Sequence, residues 1–258
     1  MPSNQTDADW EWFGKNDPYY GVVSWDCFRE NSLDDATKAA FFQHGEDYVQ
    51  DLLRVIRERV SADFVSHRAL DFGCGVGRIT IPLAKRWGEV VGVDVSPSML
   101  QHARANCEEM GVENARFIET QELDGAVGGF DFVHSFIVFQ HMPVSAGEAM
   151  TRKLIDLLSP DGVGALHYTY RHHSTRSFRS RFLLAVYRHI PLAYKFRSLL
   201  KREPVMEMNE YDINAILAQL QDAGCGQAVL HFTDHQCRGV VIMFQKKKTS
   251  SESNSRGQ

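Results

Sequence analysis

The chain has 258 residues, 43% hydrophobic and 24% charged, with a formal net charge of −5. That length supports one large α/β core with room for a small appendage, and the composition is that of an ordinary globular protein. No run approaches ~18 uninterrupted apolar residues, which excludes a membrane-spanning helix.

The opening "MPSNQTDADW" has neither the basic start nor the apolar stretch of a secretory signal. Five scattered cysteines without a Cys-x-x-Cys pair give no metal signature and fit a reduced, cytoplasmic setting. Charge is unevenly spread. Arg171 to Arg202 holds nine Lys or Arg and no Asp or Glu, leaving 19 basic against 33 acidic residues elsewhere, a net of −14.

The stretch "DWEWFGKNDPYYGVVSWDCF" is dense in aromatics without helical or strand spacing, so it is expected to be an irregular segment lying against something. Residues 1–45 are accordingly read as an N-terminal extension or lid. From Glu46 the pattern turns helical, with Val49, Leu52, Leu53, Ile56 and Val60 on one stripe. "RALDF" reads as a buried strand, and "GRITIPLAKRW" as a helix stopped by Gly88. "EVVGVDV" is a second strand. Ser96 as N-cap and Pro97 as first helical residue open a helix over "PSMLQHARANCEEM" that Gly111 ends. "ARFIE" and "FDFVHSFIVF" are the third and fourth strands, followed by a helix over 144–158, a turn at "SPDG" and a fifth strand, "VGALHYTY".

Residues 171–210 form a basic insertion. Phe178, Phe182, Leu183, Val186, Ile190 and Ala193 make an apolar stripe that Pro191 interrupts. "YDINAILAQLQDAG" is an amphipathic helix. "AVLHFTDH" and "GVVIMFQ" are an antiparallel strand pair, and 246–258 is a polar, disordered tail. The core domain is therefore 46–245. Alternating strands and helices predict a doubly wound, mostly parallel α/β sheet that binds ligands beyond the strands' carboxyl ends.

The loop "LDFGCGVGRIT" lies at that edge. It lacks the Gly-Lys-Ser/Thr ending of a phosphate-binding loop, and Arg78 stands where a dinucleotide fingerprint needs its third glycine. The spacing is Gly-x-Gly-x-Gly at Gly73, Gly75 and Gly77. Asp71 precedes it by two residues, and Asp94 ends the second strand, where a carboxylate can accept bonds from a ribose diol.

Together, "LDFGCGVGRIT", "VVGVDVSPSML" and "FDFVHSFIVFQH" resemble the motifs of class I S-adenosylmethionine-dependent methyltransferases. The resemblance implies the Rossmann-like fold of that family, with seven strands and an antiparallel last one, and S-adenosyl-L-methionine as cofactor. It implies that Gly73, Gly75 and Gly77 attend the methionyl end and Asp94 the ribose, with Met99 and Gln121 at the adenine and Asp71 a further cofactor-binding residue. Aromatic faces favour a sulfonium, and Tyr19 or Tyr20 of the N-terminal run are the expected lid residues.

At the acceptor, His141 is the candidate general base, with Gln140 orienting the substrate. His167, His172 and His173 are further candidates. Arg176, in the basic insertion, is a candidate contact for an anionic or lipid-linked acceptor or a membrane surface. A solvated scaffold insertion is the competing reading of that segment.

The motifs look like those of bacterial methyltransferases for small molecules, so a small-molecule or glycan acceptor and O-methylation are expected. Nucleic acid is disfavoured, because "HSFIVF" stands where amino-methylating enzymes carry an Asn/Asp-Pro-Pro-Tyr/Phe motif. A cofactor-binding module without catalysis remains the alternative from another class.

Overall fold

The computed structural model describes residues 4–125, 128–172, 203–204, 206–234 and 237–247. The basic segment from 173 to 202, with His173 and Arg176, and the tail from 248 onward lie outside the described residues.

Short apolar runs bounded by turns make the sheet. β1 (Arg68–Phe72), β2 (Glu89–Asp94), β3 (Ala115–Glu119), β4 (Phe130–Ser135), β5 (Leu158–His172), β6 (Cys225–Asp234) and β7 (Cys237–Lys246) align in the order β3-β2-β1-β4-β5-β7-β6. The pairings from β3 across to β5 are parallel, whereas β7 runs antiparallel to both β5 and β6. The sheet is thus the seven-stranded α/β sheet that the motifs imply. β1 lies between β2 and β4, where the chain reverses its direction of winding, and the glycine loop leaves from its carboxyl end.

Side chains alternate across each strand. Leu70 and Phe72 join one core with Val133, Leu154 and Tyr168. That core packs α6 (Val144–Leu157) and α7 (Ile213–Asp222) on one face. Ala69 and Phe132 face the other core, under α3 (Asp35–Arg59) and α4 (Thr80–Ala84). A third cluster joins Phe13, Tyr19 and Phe41 to Val76, Met99 and Leu100, and so seats the N-terminal region on α5 (Pro97–Glu109).

Four expectations need correction. The aromatic N-terminus is helical rather than irregular: α1 (Asn4–Asn16) and α2 (Pro18–Val23) are followed by short 3-10 turns. Its aromatics cluster with one another and with α5, so no single helical stripe marks it. α3 begins at Asp35 instead of Glu46, because Asp34 is an N-cap whose side chain accepts the Thr37 N–H at 2.7 Å. The helix after the loop is only Thr80–Ala84. β4 stops at Ser135, and Ile137 then turns through φ +61°, a left-handed conformation that a β-branched residue rarely adopts.

Candidate cofactor and acceptor site

Positive φ values of +74°, +52° and +87° at Gly73, Gly75 and Gly77 fold the loop back on itself, a conformation that favours residues without a Cβ. Packing makes the same demand at two of them. A Cβ on Gly73 would lie 2.2 Å from Val138 Cγ2, and one on Gly75 would lie 2.7 Å from Val22 Cγ2. The loop is therefore flanked by the turn after β4 on one side and by α2 on the other.

Backbone and side-chain bonds fix it in place. The N–H groups of Gly73 and Cys74 donate to Val93 O of β2 at 2.7 and 3.0 Å. Gly75 N–H donates to Asp94 Oδ2 at 2.9 Å, and Ser96 N–H to Asp94 Oδ1 at 3.0 Å. Asn106 Nδ2 donates to Val76 O at 3.0 Å while its Oδ1 accepts from Tyr19 OH at 2.8 Å, which ties the N-terminal helices to the loop.

Burial pushes the Asp94 carboxyl above its ordinary range, opposed by the backbone N–H groups of Ser96, Gly75 and Val95. Its oxygens each retain a lone pair, so Asp94 can still accept from a diol. Glycine cradle and carboxylate converge at one edge of the sheet. This arrangement fits the ribose end of an adenosyl cofactor.

Other residues of the expected cofactor set take different places. Met99 is buried beside Gly21 and Phe13. Gln121 is exposed, on the 3-10 turn after β3. Tyr20 lies beneath the Arg29 guanidinium, 3.6 Å from the ring centroid, so in this arrangement its face already holds a cation. Both Asp71 oxygens are bonded to side chains beneath the loop, which places Asp71 under the cradle instead of on its ligand side.

Sequence reasoning missed Glu11. From α1 its carboxylate accepts from Ser96 Oγ at 2.7 Å, Ser98 N at 3.1 Å and Ser98 Oγ at 2.7 Å, at the amino end of α5. Burial alone would raise its pKa. The bonds from Ser96, Ser98 and Lys15 outweigh burial and hold the carboxyl at about 2. No local pattern flags it, because its serine partners lie more than eighty positions away.

The acceptor candidates sit on the 3-10 turn Phe139–His141, whose His141 N–H donates to Val138 O, the residue against Gly73. His141 Nδ1 lies 2.7 Å from the Glu207 carbonyl, so this nitrogen carries the proton. Nε2 then accepts from Gln140 Nε2 at 3.1 Å, and Gln140 Oε1 accepts from Thr169 Oγ1 at 2.6 Å. Burial lowers the His141 pKa to about 4, with the Glu207 carbonyl opposing. Trp10 of α1 meets the imidazole edge-on, with ring centroids 4.9 Å apart.

His167 is buried on β5 with other partners: Thr233 Oγ1 at 2.8 Å and the Phe136 ring. His172 ends β5, near Cys237 Sγ and Met208 O. Among the described residues no cluster of His, Cys, Asp and Glu could hold a metal ion, and no helix is long and apolar enough to cross a membrane.

Residues 69–162 match the sequence family described as a methyltransferase domain. The fold is that of magnesium protoporphyrin IX methyltransferase from Synechocystis PCC 6803. The structure with bound S-adenosylmethionine superposes with a TM-score of 0.61 at 17% identity, over 95% of this chain and 98% of that one. The ubiquinone biosynthesis O-methyltransferase of Ruegeria pomeroyi is 36% identical over 101 residues, which are 39% of this chain and 40% of that protein. A 23S rRNA (uracil(1939)-C(5))-methyltransferase of Shewanella sediminis is 44% identical over 55 residues, 21% of this chain. The match to that relative spans only 12% of its length. Over residues 69–162 the chain is thus similar to a methyltransferase domain, and its fold is that of a methyltransferase with bound S-adenosylmethionine.

Proposed function

We propose that this protein transfers a methyl group from S-adenosylmethionine to a hydroxyl of a small-molecule or glycan acceptor. The observation that carries the reading is the convergence of the glycine loop, Asp94 and the Gln140–His141 turn at one edge of the sheet, with Val138 packed on Gly73. When bound, the cofactor supplies an electrophilic methyl group.

The chain's own residues do the rest. Gly73, Gly75 and Gly77 allow close backbone approach, and Asp94 accepts bonds from the ribose. α1 and α2 cover the loop as a lid and keep water from the reacting atoms, with Trp10 closing over His141. The imidazole is neutral at physiological pH, and its Nε2 lone pair is available to the acceptor proton once the Gln140 amide turns aside. Support for a small acceptor comes from the ubiquinone O-methyltransferase and the porphyrin methyltransferase among the similar proteins.

RNA is the second reading, favoured by the rRNA methyltransferases that share part of the sequence. The experiment is transfer of isotopically labelled methyl from the cofactor to separated small-molecule, glycan, lipid and RNA fractions, with products identified by mass. Label in a small hydroxylated product supports the first reading. Label confined to RNA selects the second, and slow transfer to water alone, giving S-adenosylhomocysteine and labelled methanol, leaves a cofactor-binding module.

A further inference from the structure

Beneath the glycine loop runs a line of buried polar groups that the proposed reaction leaves without a role. Asp71 of β1 pairs in register with His134 of β4, so both side chains point to the α3 side of the sheet. His134 Nδ1 lies 2.8 Å from Asp71 Oδ1, and Thr80 Oγ1 lies 2.6 Å from Asp71 Oδ2. Tyr48 of α3 places its hydroxyl 3.0 Å from His134 Nε2. Asp71, His134 and Thr80 are at most 2% exposed.

The proton directions follow from chemistry. A carboxylate only accepts, so Thr80 O–H donates to Oδ2 and the imidazole Nδ1–H to Oδ1. His134 Nε2 shares the third hydrogen bond, with the Tyr48 hydroxyl. Arg78, buried nearby, supplies positive charge that acts on both Asp71 and Tyr48.

Position gives the line its meaning. Asp71 lies immediately before the loop and Thr80 opens the helix immediately after it. The carboxylate therefore joins the two ends of the loop, and His134 holds that carboxylate from the neighbouring strand. Apolar side chains of the same volume would bury at lower cost than a carboxylate and an imidazole. What the polar line adds is direction: the two bonds that the Asp71 carboxylate accepts set its rotamer and one spacing across the loop.

We propose that His134 is a positioning residue for the cofactor site, holding Asp71 so that the two ends of the glycine loop keep the spacing that cofactor binding requires. The inference rests on the reading that this loop binds S-adenosylmethionine. It assigns Asp71, with Thr80, to the support of the loop and not to contact with the cofactor.

The test compares full-length wild type with His134→Phe, His134→Asn, Thr80→Val and Thr80→Ser by calorimetric binding of S-adenosylhomocysteine, with melting curves as control. His134→Phe keeps a ring and removes the donor to Asp71, whereas the Asn amide can restore a donor at the Nδ1 position. Thr80→Val is isosteric and lacks the hydroxyl that Ser returns.

The expected result is at least a tenfold loss of affinity for His134→Phe and Thr80→Val, with recovery to within threefold of wild type in the Asn and Ser variants. KM for the cofactor should rise while kcat at saturation changes little. Folded Phe and Val variants that melt lower but bind like wild type would overturn the proposal, as would Asn and Ser variants no better than Phe and Val. Should His134→Phe fail to fold, the Thr80 pair decides by the same criteria. Wild-type protein that binds neither S-adenosylmethionine nor S-adenosylhomocysteine would instead overturn the cofactor reading itself.

Discussion

Asp94 concentrates the residue-scale argument. Its two oxygens already hold the Gly75 and Ser96 N–H groups, so it shapes the loop, and under the proposed function it accepts from the ribose as well. Asp94→Ala is expected to lose charge-assisted bonds worth about 1.5–3 kcal/mol, roughly a tenfold to hundredfold weakening measured by calorimetry. At His141 the expectation concerns pH. With the imidazole lowered to about 4 in the folded protein, the basic form prevails above that value. If His141 takes the acceptor's proton, kcat/KM falls as pH drops through about 4 and His141 imposes no limb near neutrality. His141→Ala should then cost roughly 10²–10⁴ in turnover with cofactor affinity retained. The glycines and Asp94 were legible because a local motif fixes both spacing and chemistry. Glu11, Trp10 and the His134–Asp71 line were not. Each is defined by a partner distant in sequence, and neither hydrophobic period nor motif records such pairs.

Among the elements, α1 shows how the N-terminal region is held. Glu11 takes the place of an anion at the amino end of α5, and Gly14 permits the close approach. A Cβ on Gly14 would lie 2.5 Å from Ser96 Oγ and 3.0 Å from the Met99 nitrogen. Gly14→Ala should therefore lift α1, and limited proteolysis should cut the N-terminal region faster than in wild type. Glu11→Gln tests the same contact through its charge. The folded carboxyl titrates at about 2, below its ordinary 4.5, so its stabilisation is fully present above 4.5 and is lost as pH falls toward 2. After discounting for partial exposure, the effect at neutral pH is on the order of 1–2 kcal/mol. The melting difference between wild type and Glu11→Gln should narrow as pH falls below 4.5. β1 and β2 could be read from sequence because strands buried on both faces leave short, nearly continuous apolar runs. α1 and α2 could not, because their aromatics pack on one another and on α5 in place of forming one stripe. β4 was read too long because "FIVF" is as apolar as a strand, yet Ile137 turns it out of the sheet.

For the molecule as a whole, charge separation is the feature most open to measurement. Nine basic residues and no acidic ones lie between Arg171 and Arg202, against a net of −14 in the rest of the chain. The described residues on either side of that segment show where it is attached. His172 stands at the carboxyl end of β5, on the ligand-binding edge of the sheet. Glu203 accepts from Arg29 Nη1 at 3.0 Å, beside the Tyr20 ring at the base of α2. Both attachment points therefore flank the proposed site. An anionic or lipid-linked acceptor drawn in by the segment's charge should bind more weakly as ionic strength rises, since exposed charges are screened beyond about 8 Å at physiological salt. The expected outcome is an acceptor KM that climbs between low and high salt in the wild type. It should climb far less in a variant combining Arg176→Gln, Arg179→Gln and Arg181→Gln, with cofactor KM unchanged in both. Co-sedimentation with vesicles of anionic phospholipid separates the two sources of negative charge: a lipid-linked acceptor predicts binding that the triple variant loses, a free anionic acceptor predicts none. A salt-independent KM that the triple change leaves untouched, together with no vesicle binding, would make the segment a scaffold whose cations pair with the acidic body.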